Sequence, residues 1–317
     1  MALWFQLPMG TAAKVLGVVL WIALAAAVLF LVWHRKGGIA LISYAAGLAL
    51  VALWWSSIQP QQHKDWADDV ARQMSARVDG STVVLDNVRN FDWRSEVDYV
   101  PRWESRRYDL DTLRSVDVAA SYWTGPLIAH TLVSFGFDDG RFLTFSIEIR
   151  RERDEAFSSI GGFFKEFETA LVAADERDIL RVRSNVRGED VYLYRVHLPR
   201  ADMRSLFVAY LDEAASLARA PRFYNTLTAN CTTIVYELAR RVVPGLPLDY
   251  RLLASGYLPE YLHDVGGLTP GYSMEDLRSA GRITLRAQAA DRVNEGFSQA
   301  IRAGLPGAVP AAATPPK

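Results

Sequence analysis

Two unbroken apolar runs near the start of the chain limit its fold more than any other feature. From Thr11 to Trp33 the only charge is Lys14. That run is about 22 residues, which at about 1.5 Å per helical residue crosses a hydrocarbon core about 30 Å thick. His34, Arg35, Lys36, Gly37 and Gly38 follow, and a second apolar run covers residues 39–55. At about 17 residues it lies at the lower edge of the spanning range. The pair predicts a transmembrane helical hairpin over residues 1–57, with interfacial anchors among Trp21, Trp33, Trp54 and Trp55. A cleaved signal peptide needs a shorter apolar region and a small-residue cleavage site, so the length and the second run argue against one. Arg35 and Lys36 place the connecting turn in the cytoplasm by the positive-inside bias. Residues from about Ser56 onward then face the periplasm, with the anchor in a bacterial inner membrane.

The rest of the 317 residues suffices for one globular domain, expected over residues 58–305. The formal net charge of -1 carries no electrostatic footprint for nucleic acid. Trp66, Val70 and Met74 recur at helical spacing, so a helix is expected there. Strands are expected over 81–86, 108–118, 126–137, 141–151, 179–186 and 191–198. Turns are expected at Asp138-Asp-Gly140 and Arg187-Gly-Glu-Asp190. Phe163, Phe164, Phe167 and Leu171 fit one face of a helix over 157–171, and further helices are expected over 201–218 and 231–243. The order of elements gives an α+β domain. The stretch 87–96 is expected to be a loop packed by Phe91 and Trp93. The Pro/Ala-rich end, 306–317, is expected to be disordered.

The chain has one cysteine, Cys231. It excludes an intramolecular disulfide and a Cys-based zinc site, and no metal-ligand cluster or cofactor motif is apparent. A lone cysteine is most often a small buried hydrophobe. Its neighbourhood argues for more. Asn230 is a favoured N-cap, and Ile234, Leu238 and Val242 follow at helical spacing, so Cys231 opens a helix. The free N–H groups and the macrodipole there stabilise an anion, and a thiolate is one. The base must come from elsewhere in the chain. Among five histidines, His130 interrupts an apolar strand, and its bland reading is a half-buried structural histidine. A hairpin turning about Asp139 puts Glu148 opposite His130, with Ser146 a neighbour on the same face. Glu148 is the first choice to orient the imidazole and Ser146 the second; a surface carboxylate and an ordinary strand hydroxyl are their plain alternatives. The backbone N–H groups of Cys231 and Thr232 are candidate oxyanion donors, Tyr224 or Asn225 could add a side-chain donor, and Asn230 belongs to the same candidate oxyanion and substrate-binding group.

Five stretches resemble one family: Asn87-Val-Arg-Asn-Phe-Asp-Trp-Arg94, His130-Thr-Leu-Val-Ser-Phe135, Phe145-Ser-Ile-Glu-Ile-Arg-Arg-Glu152, Asn185-Val-Arg-Gly-Glu189 and Tyr224-Asn-Thr-Leu-Thr-Ala-Asn-Cys-Thr-Thr233. Together they are similar to the Lnb N-terminal periplasmic domain family over roughly residues 60–305. The resemblance implies a permuted papain-like fold of the NlpC/P60 type, with the histidine strand before the cysteine helix. It also implies acyl transfer by a cysteine, with a membrane lipid or lipoprotein as substrate. A papain-like cell-wall amidase or peptidase using the same two residues is a second reading. A non-catalytic membrane-anchored binding module with an inert Cys231 is a third.

Overall fold

A computed structural model describes residues 1–7, 10–291 and 296–308. A short helix α1 (Ala2–Gln6) precedes α2 (Thr11–Trp33) and α3 (Gly37–Ser57). The latter two are long and apolar enough to cross a membrane, and their side chains are almost entirely uncovered by the rest of the chain. They form a hairpin through Arg35 and Lys36, where Arg35 takes a left-handed φ of 56°. Its two open ends lie together beside the domain. Phe5 stacks on Phe164 with ring centroids 5.5 Å apart, and Lys165 donates to the carbonyls of Trp55 and Ile58.

Ten strands follow: β1 (Ser75–Asp79), β2 (Thr82–Arg89), β3 (Asp92–Trp93), β4 (Tyr99–Val100), β5 (Trp103–Asp109), β6 (Leu113–Thr124), β7 (Ile128–Phe137), β8 (Phe142–Arg150), β9 (Glu168–Ala174) and β10 (Asp190–Arg195). Among the described residues eight of them form one sheet in the order β1-β2-β9-β8-β7-β6-β10, with β5 also on β2. All pairs are antiparallel except the short β2–β9 contact.

The helices cover both faces. On one, α5 (Arg200–Arg219) and α6 (Cys231–Val242) pack on β6 to β9. Leu206, Phe207, Tyr210 and Leu217 recur at helical spacing and are buried. Phe207 meets Phe135 and Phe145 edge-on, and Tyr210 stacks on Phe145 at 4.7 Å. On the other face α4 (Glu176–Arg181) packs on β8. It contributes Ile179 and Leu180 to a second apolar cluster with Leu132 and Val172. Residues of α9 (Thr284–Ala290) and α10 (Phe297–Ile301) complete that cluster, while α7 (Leu258–Asp264) and α8 (Met274–Gly281) close one end of the domain.

Several expectations are corrected. Residues 157–171 are not a helix. Gly161-Gly162 breaks the chain into a short 3-10 turn, and the fully buried stretch from Glu168 becomes β9. Trp66, Val70 and Met74 are buried as expected of a core face, yet they lie on a 3-10 turn and extended backbone. The segment 179–186 is helical, not a strand. Asp175 caps α4 by accepting from the Arg177 N–H, Glu176 and Asp178 suit the first turn, and a π turn (Val182–Val186) continues it. The strand expected over 108–118 divides into β5 and β6 at the 3-10 turn Leu110–Thr112. Residues 306–308 are ordered against the domain, with Arg195 donating to the Gly307 carbonyl. The remainder of the expected tail, 309–317, lies outside the described residues.

The expected loop 87–96 is packed by Phe91 and Trp93, but its first three residues belong to β2 and Asp92–Trp93 form β3, and Arg89 is buried and paired. Its guanidinium makes a two-pronged pair with Asp178, at 2.8 and 3.0 Å. Asp178 also accepts from the Phe91 N–H and from Trp93 Nε1. Four donors therefore converge on one buried carboxylate, which ties this loop to α4.

Candidate active site

The start of β7 is held from the side. Ser255 Oγ donates to the Ala129 carbonyl and accepts from the Ala129 N–H, and the Gly256 N–H donates to the Leu127 carbonyl. A Cβ on Gly256 would lie 2.0 Å from the Pro126 carbonyl, so only glycine allows that approach. This clamp fixes the backbone immediately before His130.

The β7–β8 register runs from Gly136↔Phe142 to Leu132↔Ser146. Carried on by two residues, it sets His130 across from Glu148. His130 Nε2 lies 2.7 Å from Ser146 Oγ and 3.2 Å from Glu148 Oε1, and Ser146 Oγ donates to the same Glu148 oxygen at 2.7 Å. Both proposed orienting residues therefore meet the imidazole, the serine bridging it to the carboxylate. Arg183 closes the group from behind. Its Nη2 donates to Glu148 Oε1 at 3.0 Å and its Nη1 to Glu189 at 3.3 Å, while Ser121 donates to Glu189. Sequence reasoning missed Arg183, Glu189 and Ser121. Arg183 lies on the π turn, a rare local geometry that redirects its side chain toward the sheet. The run Asp175-Glu-Arg-Asp178, an N-cap followed by acidic residues, was the available signal for a helix there.

With Nε2 engaged, Nδ1 is the imidazole nitrogen left for the thiol. Cys231 is 7 % exposed at the first position of α6. Asn230 builds the cap, its Oδ1 accepting from the N–H groups of Thr232 and Thr233 at 2.9 Å, while Thr233 Oγ1 accepts from the Asn230 N–H. The helix start enters where the β7–β8 ladder stops, and the Thr131 N–H there helps to lower the thiol. Thr232 Oγ1 anchors the turn to Thr131 Oγ1 at 3.0 Å and lies 3.8 Å from Cys231 Sγ.

Thiol and imidazole act on one another. Burial pushes the Cys231 thiol up, but the His130 charge and hydrogen bond outweigh it and leave the thiol below its ordinary value. Burial and Arg183 pull the imidazole down, whereas Glu148 and the Cys231 sulfur prevail and raise it from 6.5 to about 9. Burial opposes charge on Glu148, yet His130 and Arg183 hold it well below the usual carboxylate range. Each of the two groups thus favours the charged form of the other. A group whose pKa is raised by folding stabilises the fold fully below its unfolded value and loses that contribution as pH rises through the folded one. The lowered Cys231 thiol contributes with the opposite sign, gaining as pH rises toward its unfolded value, so between about pH 6.5 and about 9 the two contributions offset and the thermal midpoint is expected to change little. A midpoint that drops steadily across that window would contradict the pair.

The other expected donors separate. The Thr232 N–H is used by the Asn230 cap, so it is not open to an oxyanion. Asn225 Oδ1 accepts from the N–H groups of Leu227 and Thr228, a local turn within the loop 225–229. Its side chain is thereby tied into its own loop through Oδ1. Tyr224 does reach the centre, its hydroxyl near enough to Cys231 for the sulfur to act on its ionisation. Burial and the neighbouring sulfur push its own ionisation well above the ordinary value, so it remains a neutral donor.

The family model described as the Lnb N-terminal periplasmic domain matches residues 99–256. The matched segment contains His130, Ser146, Glu148, Arg183, Tyr224 and Cys231, and is narrower than the resemblance over 60–305. No curated protein and no solved structure matches the chain. The periplasmic setting of the family and the two apolar helices together fit a membrane-anchored protein with a periplasmic domain. Over residues 99–256 the chain belongs to the Lnb N-terminal periplasmic domain family.

Proposed function

We propose that this domain is a membrane-anchored thiol acyltransferase or acyl hydrolase acting on a lipid or lipoprotein ester. The observation that carries the reading is Cys231 at a capped helix start, paired with an imidazole whose far nitrogen is held by Ser146 and Glu148. The Cys231 thiolate attacks the ester carbonyl and a carbon–sulfur bond forms. The tetrahedral oxyanion is met by the Tyr224 hydroxyl, and the Cys231 N–H becomes a second donor as that hydroxyl turns from it to the oxyanion. As the carbon–oxygen bond breaks, imidazolium His130 gives its proton to the departing alkoxide, leaving an alcohol and a thioester. An amine or water then loses a proton to His130 and attacks the thioester, returning the thiolate. Glu148 and Arg183 act through His130 as positioning residues. In fold terms the reading is a permuted papain-like domain: the histidine strand β7 precedes the cysteine helix α6, and α6 packs on β7 and β8. The anchor, in the bacterial inner membrane under this reading, raises the local concentration of acylated substrates.

Alkylation by iodoacetamide tests the activated thiol. At pH 7 Cys231 is expected to react at least about tenfold faster in the native chain than in His130→Ala, because the variant lacks the charge that holds the thiol low. Equal rates in the two proteins would remove the mechanism. Peptide release from peptidoglycan without a lipid-derived thioester would instead favour the amidase reading.

A further inference from the structure

The site is ringed by apolar side chains that nothing in the domain covers. Trp123, Leu127, Phe157, Ile160, Phe163 and Leu227 are 44 to 57 % exposed. They come from three segments that converge on the thiol. Trp123 and Leu127 flank the β6–β7 turn, immediately before His130, and Leu227 lies in the loop before Cys231. Phe157, Ile160 and Phe163 belong to the segment 157–163, where a helix was expected.

That segment touches the site on one side and the anchor on the other. Thr226 Oγ1 donates to the Ser159 carbonyl at 2.8 Å, and a Cβ on Gly162 would lie 2.3 Å from Thr226 Oγ1 and 3.5 Å from the Tyr224 ring. Phe157 meets Trp123 edge-on at 6.3 Å. One residue beyond the segment, Phe164 stacks on Phe5 and accepts from Gln6 Nε2 at its carbonyl; next to it Lys165 caps the end of α3 at Trp55 and Ile58. The apolar ring is thus continuous with the two helix ends that emerge from the bilayer. Aromatic and aliphatic side chains at that level, beside an interfacial tryptophan and lysine, have the composition of a surface seated in the headgroup and acyl boundary. Exposed apolar patches rimmed by polar groups mark such sites.

We propose that this ring is seated in the leaflet that carries the anchor, so that the mouth of the Cys231 site opens onto lipid and takes an acyl chain without its passing through water. The substrate half of this inference rests on the thiol-enzyme reading; the seating does not. The far end of the same strands, the Asp138–Arg141 turn, then points away from the membrane. At about 3.3 Å per residue, the ten residues of β7 put it about 30 Å from the ring.

Depth is measured without turnover, in the full chain carrying Cys231→Ala and reconstituted in nanodiscs of phosphatidylethanolamine and phosphatidylglycerol. An environment-sensitive fluorophore is attached at Leu127→Cys, Ile160→Cys or Asp139→Cys. Phospholipids brominated on their acyl chains are expected to quench the first two labels at least about twofold more than the third. Equal quenching at all three positions would overturn the seating. The unsubstituted chain gives a second readout with a diazirine-bearing phosphatidylglycerol. Crosslinked peptides should include 124–128 and 157–163 besides the two helices; crosslinks confined to the helices would also overturn it. Because neither readout needs a working thiol, loss of the thiol mechanism and loss of the seating are separate results.

Discussion

Cys231→Ala is expected to remove acyl transfer by at least about 10⁴-fold, and His130→Ala by a comparable factor. The two losses should not add, since in the proposed mechanism each residue works only through the other: the His130 charge lowers the Cys231 thiol, and the proton His130 moves serves the sulfur's reaction alone. The measurement is conversion of an ester-linked acyl chain in proteoliposomes containing the full chain, followed by mass spectrometry. A circular dichroism spectrum unchanged from the native protein separates lost chemistry from lost fold. A Cys231→Ala protein keeping a tenth of the activity would exclude covalent catalysis by this residue.

The largest effect on stability is expected across the sheet from the thiol, at Asp178. Asp178→Ala leaves Arg89, Phe91 N–H and Trp93 Nε1 without their acceptor in a fully buried position. Removing one partner of a buried pair costs about 3–5 kcal/mol, because the other charge remains unpaired in a poor solvent. Replacing both partners, as Arg89→Met with Asp178→Leu, should recover much of the loss, since no charge is then left behind. Urea unfolding of the full chain in mild detergent, followed by tryptophan fluorescence, reads both. A loss below about 1 kcal/mol in the single variant would show that water replaces the carboxylate.

The parts of the fold that were legible in the sequence are those set by local chemistry. The Asp138-Asp-Gly140 turn determines the β7–β8 register, and the register brings His130 to Glu148 and Ser146. Asn230 announces the start of α6, and Cys231 follows it. The failures have one physical source, an apolar pattern read without its breakers. Phe163, Phe164, Phe167 and Leu171 satisfy a helical period, but the Gly161-Gly162 pair and the burial of β9 on both faces decide the structure. Ile179, Val182 and Val186 look like a strand, yet the cap at Asp175 starts a helix. Losing that helix from the sequence reading meant losing Arg183, whose role depends on a turn no periodicity encodes. The end of the β7–β8 ladder, which admits the sulfur, is a tertiary event and leaves no local mark.

The solitary thiol has a further consequence in an oxidising compartment. A thiolate there is exposed to disulfide exchange and to peroxide, and redox-sensor proteins often set a second, resolving cysteine beside theirs. This chain has no second cysteine. An oxidised Cys231 can therefore be capped only by a thiol brought from outside, or proceed to acids that do not revert. Protection falls to the walls around the sulfur, 7 % exposed beside Thr131, Thr232 and Tyr224, so the same close packing that tunes the thiol also governs how long it lasts.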